Sequence, residues 1–409
     1  MSDSRLRRIV VGATIVGGLV WAGSVVAASP PRPADGRVSG QSELSRRTFA
    51  FRGPAIAAEE LLSVHASRRL LAKLRAEAAP KSCRYRDIDF VIRLADRYLI
   101  AGMPVGRRMT ISRTVRINAW WYSHRTTAAK RGLTVRDPQG VLATYWECRG
   151  FAVNPVATTG RWLGMNNDVT PIQLAKVLLP MGSIRTVSGI RYRAWEYYDI
   201  PERPGVIKPG TSGMAQGRVA RIFATAYTTT GDRRYLDATT DALRAFTVSV
   251  RLGGVRSLVS YPAGSTPSPW FVERAFPGAN PWRGAALNGF MAAILNLNGT
   301  ASELRKPPPG GGIDPDATKA RLLAENLAAQ GARSVRRYLP LHDSGSWSYY
   351  GMLPSGHPWR TYLAPFNYHC YHVSLLRQME QRYPGQGFGA WHAKWSGYVA
   401  RRGKVCPII

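Results

Sequence analysis

Two tyrosines near the C-terminus carry the residue type and spacing that could move a proton. Tyr350 lies in LHDSGSWSYYGM and Tyr368 eighteen residues on, in PFNYHCYHVSLL. A phenol is a neutral donor at rest and a strong base once ionised. Its ordinary pKa near 10 makes a ready phenolate at neutral pH cost about 4 kcal/mol. Neighbouring cations lower that cost, and this chain is rich in them. Each residue also has a plainer reading. Tyr350 could be an aromatic packing under a connector, with Tyr349 beside it competing for any chemical role. His369 and His372 either hydrogen-bond within a helix start or line a cleft. Glu273 beside Arg274 reads as a carboxylate for acid–base work or as a surface ion pair.

The elements that must position these residues are mostly helices. Tyr350 falls in a strand-like turn and Tyr368 at the mouth of a helix. MAQG (Met214–Gly217) and LNGF (Leu287–Phe290) each open an apolar helical run. Gln216 and Asn288, within them, either satisfy buried backbone or touch a ligand. TPIQLAKVLL, MAQGRVARIFATAYTTTG, DRRYLDATTDALRAFTVSV, LNGFMAAILNLN, ATKARLLAENLAAQGARSVRRYL, NYHCYHVSLLRQMEQRY and FGAWHAKWSGYVARR all show helical periodicity. Gly231-Asp232 should close one helix and cap the next. KPPPGGGIDP reads as a surface loop.

Alternating amphipathic helices with short strand-like connectors, GVRSLVSYP and GSWSYYGM among them, predict a mainly α fold. The expected form is an (α/α) helical toroid over residues 157–409. A small mixed accessory region precedes it over 56–156: an amphipathic helix from Ile56 to Ala78, mostly helix over 87–132, then two short strands around Asp137-Pro138-Gln139-Gly140.

Four of these segments, in this order, are similar to the C-terminal catalytic domain of the D-glucuronyl C5-epimerases: TPIQLAKVLL, MAQG, LNGF, and LHDSGSWSYY followed at matching spacing by NYH. The resemblance covers roughly residues 150–402. It implies an enzyme that inverts C5 of a uronic acid within a polysaccharide, by taking a proton α to the carboxylate and returning one to the opposite face using two tyrosines. It places the catalytic group on Tyr350, Tyr368 and Glu273. Gln216, Asn288 and His372 are the further candidates to touch the substrate, and no cofactor or metal is expected. Relatives of known structure are dimers, so a homodimer is expected. Two departures mark this chain. Phe276 stands where a tyrosine usually precedes the proline, and Leu353 where relatives carry an arginine; Arg360 is the candidate to meet the substrate carboxylate instead.

Lys and Arg total 56 against 25 acidic residues, a formal charge of +31. A field of that size draws polyanions, although an Arg- and Ala-rich composition would give the same excess. No helix-turn-helix, zinc-finger or RNA-recognition signature accompanies it, so nucleic acid is not the expected partner. Twelve Trp and eighteen Tyr suit a sugar groove as well as a core. Arg5, Arg7 and Arg8 precede an apolar run from Ile9 to Ala28, which reads as a signal peptide ending at Val26-Ala27-Ala28 or as a membrane anchor. Residues 29–55 form a spacer. The expected location is therefore secreted or cell-envelope. Four cysteines suit an oxidising compartment and allow two disulfides in three connectivities, Cys83 with Cys148 and Cys370 with Cys406 being the local choice. Their spacings fit no zinc module, and Asp168 with Asn166 and Asn167 is a poor cation set.

Three other functions compete. A polysaccharide lyase begins with the same proton abstraction and then expels the C4 oxygen. A helical protein whose site has decayed would bind acidic glycans without turnover. A glycoside hydrolase fits less well, because no convincing carboxylate pair stands on facing segments.

Overall fold

The computed structural model describes residues 53–407, apart from 164–167, 199–200, 204–205, 261–264, 278–284, 313 and 352–361. The apolar run at 9–28, Leu353 and Arg360 lie outside the described residues. No helix among those described is long and apolar enough to cross a membrane.

The protein is mainly α. Its helices are α1 Val64–Glu77, α2 Cys83–Tyr98, α3 Val105–His124, α4 Pro155–Leu163, α5 Pro171–Leu178, α6 Gly213–Thr230, α7 Arg233–Arg244, α8 Leu287–Glu303, α9 Pro315–Tyr338, α10 Phe366–Arg382 and α11 Phe388–Ala400. The described residues form one compact unit, within which two large hydrophobic cores are distinct beside a small cluster of Tyr192, Ala194, Ala245 and Val248.

The first core joins α1–α3 to an antiparallel sheet of β1 Thr134–Arg136, β2 Leu142–Trp146 and β3 Gly150–Val153. The helical expectation over 87–132 overshoots at its C-terminal end. Helix α3 stops at His124, where Thr126 and Thr127 bring β-branched side chains and Gly132 turns with φ +84°. The sheet also has one strand more than expected. Cys148 adopts φ +57° between β2 and β3 and turns the chain back there. Its sulfur is bonded to Cys83 at the start of α2. Beneath that turn Asp87 accepts from the Tyr122 and Tyr145 hydroxyls and the Gly150 N–H. Burial still outweighs these donors and pushes the Asp87 carboxyl up to about 6.

The second core is larger and is built by α5–α11. Helices α6, α8 and α9 pack side by side, with α7 on α6 and α10 on both α8 and α11. The close approach of α6 and α8 requires Gly217, the last residue of MAQG. A Cβ there would stand 3.1 Å from the Ala293 carbonyl. Local signals set the helix ends. Gly231 takes φ +74° after α6, and Asp232 accepts from the Arg234 N–H to start α7. Asp314 caps α9 with Pro315 in its first turn.

A buried carboxylate bridges the two cores. Glu196 receives both Arg107 Nε and Nη2 from α3, at 3.0 and 2.9 Å. It also pairs with Arg185 of the hairpin β4 Ser183–Val187 and β5 Ile190–Ala194, and with the Tyr198 hydroxyl. Burial raises its proton affinity, but the two guanidiniums prevail and hold it at about 2. Breaking such a buried pair from one side costs about 3–5 kcal/mol.

Candidate active site

The segment carrying Tyr350 is extended but joins no regular sheet, because each of its bonds goes to a different partner. The Tyr349 N–H donates to the His342 carbonyl at 2.8 Å and the Tyr350 N–H to the Tyr362 carbonyl at 2.9 Å. The Tyr350 carbonyl accepts from the Leu287 N–H of the LNGF turn at 3.0 Å. Both main-chain groups of Tyr350 are thus committed, which fixes the direction of its ring.

Three tyrosine rings meet here. Tyr350 and Tyr368 touch edge to face with centroids 4.9 Å apart, and Tyr362 stacks on Tyr350 at 5.2 Å. Tyr368 stands in the first turn of α10 and is 37% exposed, and Tyr362 is 59% exposed. Tyr350 is the inner member. Burial, with the neighbouring Tyr368 and Glu273, pushes its phenol well above the ordinary range, against a smaller pull from Arg274. Tyr350 is therefore a proton donor at neutral pH.

Glu273 lies after the strand Ser268–Phe271 and is partly buried. Its Oε2 accepts from the Ser212 hydroxyl at 3.0 Å, and the Met214 N–H also donates to its carboxylate. Ser212 is at the same time the N-cap of α6, accepting from the Ala215 N–H. One serine therefore couples the MAQG helix start to this acid. The surrounding protein pushes Glu273 up to about 7, and Arg218 and Arg274 only partly offset that. LNGF leaves the room. A Cβ on Gly289 would stand 2.5 Å from Glu273 Oε2 and 2.9 Å from its Cβ. The structure thus gathers Tyr350, Tyr368 and Glu273, and the glutamate binds Ser212 instead of standing out as a surface group.

The other expected residues are placed differently. Gln216 is fully buried, donating to the Arg193 carbonyl at 2.9 Å and accepting from the Trp195 N–H at 3.0 Å, so its amide is spent on backbone. Asn288 is 5% exposed, and its Oδ1 has no hydrogen-bond partner among the described residues. His372 is fully buried behind the tyrosines. Its Nδ1 lies 2.9 Å from the Ser348 hydroxyl, which His369 Nδ1 also meets at 2.7 Å. Burial drives His372 well below its usual pKa and His369 down to about 4. Both are neutral supports for the segment two residues ahead of Tyr350. Asp168 binds Arg161, at 2.7 Å, and Arg136, so it is committed to ion pairs. No cluster able to hold a metal occurs among the described residues.

Four residues escaped the sequence reading. Tyr371 lies one helical turn after Tyr368, hydrogen-bonds to Arg218 and feels the Glu273 charge. The three-residue spacing was its available signal. Arg218 follows MAQG directly. Tyr362 is reached through its main-chain bond to Tyr350. Trp146, on β2, lies under the Arg274 guanidinium at 4.8 Å, a contact with no local sequence signal.

The order of these segments matches a known family. A family model described as the D-glucuronyl C5-epimerase C-terminus aligns with residues 188–397, just over half of the chain. The chain belongs to this family. It is 29% identical over 205 residues to a D-glucuronyl C5-epimerase of Caenorhabditis elegans, an alignment covering 49% of this chain and 30% of the worm protein. It is 31% identical over 165 residues to an uncharacterized protein of Methanocaldococcus jannaschii, covering 40% of this chain and 46% of that one. The chain thus spans less than half the length of either relative. Within this epimerase-family segment lie Ser212, Gln216, Arg218, Glu273, Arg274, Asn288, Tyr350, Tyr362, Tyr368, Tyr371 and His372; Trp146 lies before it.

Proposed function

We propose that this protein is a uronyl C5-epimerase acting on an acidic polysaccharide of the glucuronate/iduronate type. The observation that carries the reading is the meeting of a protonated inner tyrosine, an exposed outer tyrosine and a carboxyl whose pKa is about 7. The C5–H bond breaks, its proton passes to a base, and the electron pair moves into the adjoining carboxylate as an enediolate. A proton delivered to the opposite face then completes inversion. The two tyrosine rings touch, which supports assigning the tyrosine pair to one face of the sugar, with Glu273 proposed for the other. A carboxyl near pH 7 is suited to accept and release a proton at neutral pH, and the half-buried phenol of Tyr350 stabilises negative charge as a donor.

The neighbouring helix pairs α6–α7, α8–α9 and α10–α11 support the helical-toroid form of this fold. The net charge of +31 supports a polyanionic substrate. The bonds Cys83–Cys148 and Cys370–Cys406 support an exported location, secreted or in the cell envelope, with residues 9–28 as leader or anchor. A homodimer is part of the same proposal.

The test is incubation with glucuronate and mannuronate polymers in heavy water, following C5 by NMR. Deuterium entry with inversion, lost in Tyr368→Phe, is the expected result. An unsaturated, ultraviolet-absorbing product would replace the reading with a lyase. Binding without exchange would replace it with a glycan-binding protein.

A further inference from the structure

Among the cations of this basic chain, one group is built into place near the tyrosines. Helix α11 ends at Ala400, and Gly403, at φ +61°, reverses the chain. The Gly403 N–H donates to the Ala400 carbonyl at 2.9 Å and the Lys404 N–H to the Val399 carbonyl at 3.2 Å, the paired bonds of a glycine helix stop. Three residues after Gly403, Cys406 is bonded to Cys370 in the second turn of α10. Residues 401–406 are thus tied at both ends, and the second tie is to the helix that carries Tyr368.

Two side chains of this segment rest on rings. The Arg402 guanidinium lies over the Trp347 indole at 3.9 Å from its centroid, and Lys404 Nζ lies over the Phe366 ring at 5.1 Å. Phe366 stands two residues before Tyr368 in the first turn of α10. Trp347 stands three residues before Tyr350, about 10 Å of extended chain. The supporting rings therefore come from the same two segments as the tyrosine pair. Arg402 and Lys404 are both exposed, and their side chains make no ion pair or hydrogen bond among the described residues. Asp343, which acts with Arg402 on His369, is itself paired with Lys394 at 2.6 Å. A ring face steadies a cation without consuming its N–H donors, and so reduces the freedom that a long side chain loses on binding.

We propose that Arg402 and Lys404 form a cationic platform that binds acidic groups of the polysaccharide on residues flanking the one at the tyrosines, an assignment that rests on the uronyl-epimerase reading. The Cys370–Cys406 bond holds the platform in place. The partner is the substrate's own chain and not an unrelated polyanion, because the platform stands on the segments that present the tyrosines. A long polymer reaches both places, whereas a short oligosaccharide at the tyrosines leaves the platform empty.

The experiment measures binding of the full chain, by calorimetry at several salt concentrations, to glucuronate and mannuronate polymers, each beside its trisaccharide. Arg402→Gln with Lys404→Gln should weaken polymer binding roughly 3- to 30-fold, the worth of two exposed ion pairs. The same double variant should flatten the salt dependence and leave trisaccharide binding unchanged, which also reports that it is folded. Lys404→Gln alone should give part of the loss. Arg402→Lys with Lys404→Arg keeps both charges and should keep the wild-type salt dependence. Cys406→Ser keeps the cations but frees their segment, and should weaken the polymer selectively. Polymer binding unchanged in the double glutamine variant, an equal loss for the trisaccharide, or no polymer binding by wild type would overturn the proposal. So would a loss confined to duplex DNA or to phosphatidylserine vesicles, the rival polyanions run in parallel. The two readings fail separately. Polymer affinity that depends on Arg402 and Lys404 without C5 exchange refutes the epimerase and keeps the platform; exchange with polymer affinity untouched by the double variant does the reverse.

Discussion

Tyr350 and Tyr368, eighteen residues apart in the chain, meet edge to face with ring centroids 4.9 Å apart. Their environments differ. Tyr350 is half-buried and held protonated, whereas Tyr368 stands 37% exposed on the first turn of α10. The same conservative change should therefore have different side effects. Tyr368→Phe should lower C5 exchange by at least about 100-fold, the range for losing an acid–base group, with stability within about 0.5 kcal/mol of wild type. Tyr350→Phe should lower exchange similarly and also shift the denaturant midpoint. Rates by NMR and urea unfolding check both.

Gly289 bears on the proposed catalytic acid, Glu273, through the space it leaves. Its missing Cβ would lie 2.5 Å from Glu273 Oε2. Gly289→Ala should displace that carboxylate and lower exchange by roughly 100-fold, as an ångström-scale misplacement does. The helix itself gains propensity from alanine. Loss of activity with a retained helical circular dichroism spectrum is the expected outcome.

Glu273 should leave a signature in stability against pH. Its folded pKa of about 7 lies above the ordinary 4.5, so the folded state binds the proton more tightly than the unfolded chain. Stability from this group is present below about pH 4.5 and is lost as pH rises to about 7. Glu273→Gln removes that loss. The variant should gain on wild type across this window, by on the order of 2 kcal/mol after allowing for partial screening. Melting temperatures from pH 4 to 8 check the sign. The wild-type exchange rate should show an inflection near pH 7 that the variant lacks.

Asp87 tests the first core independently. Asp87→Ala would strand the Tyr122 and Tyr145 hydroxyls and the Gly150 N–H in the interior. At about 1–3 kcal/mol for a buried group left unpaired, a loss of about 3–5 kcal/mol is expected. Asp87→Asn keeps the shape and one acceptor and should lose less. Denaturant midpoints of the two variants give the comparison.

Local chemistry made much of this protein legible from its sequence. Periodicity and caps set the helices of the second core, and Gly231-Asp232 behaves as its residue types require. Motif order marked Tyr350, Tyr368 and Glu273 as one group, and their segments do converge. Tertiary structure decided what those residues can do. The partial burial of Tyr350, the Ser212 bond to Glu273, the commitment of Gln216 to backbone and the place of His372 behind Ser348 each depend on contacts between segments far apart in the chain. Trp146 beneath Arg274 is the extreme case, since 128 positions separate them. Residue type and spacing act through neighbouring bonds and reveal local form. Solvation, electrostatic neighbours and the direction of a side chain are set only when remote surfaces pack, and those three turn a motif into a site.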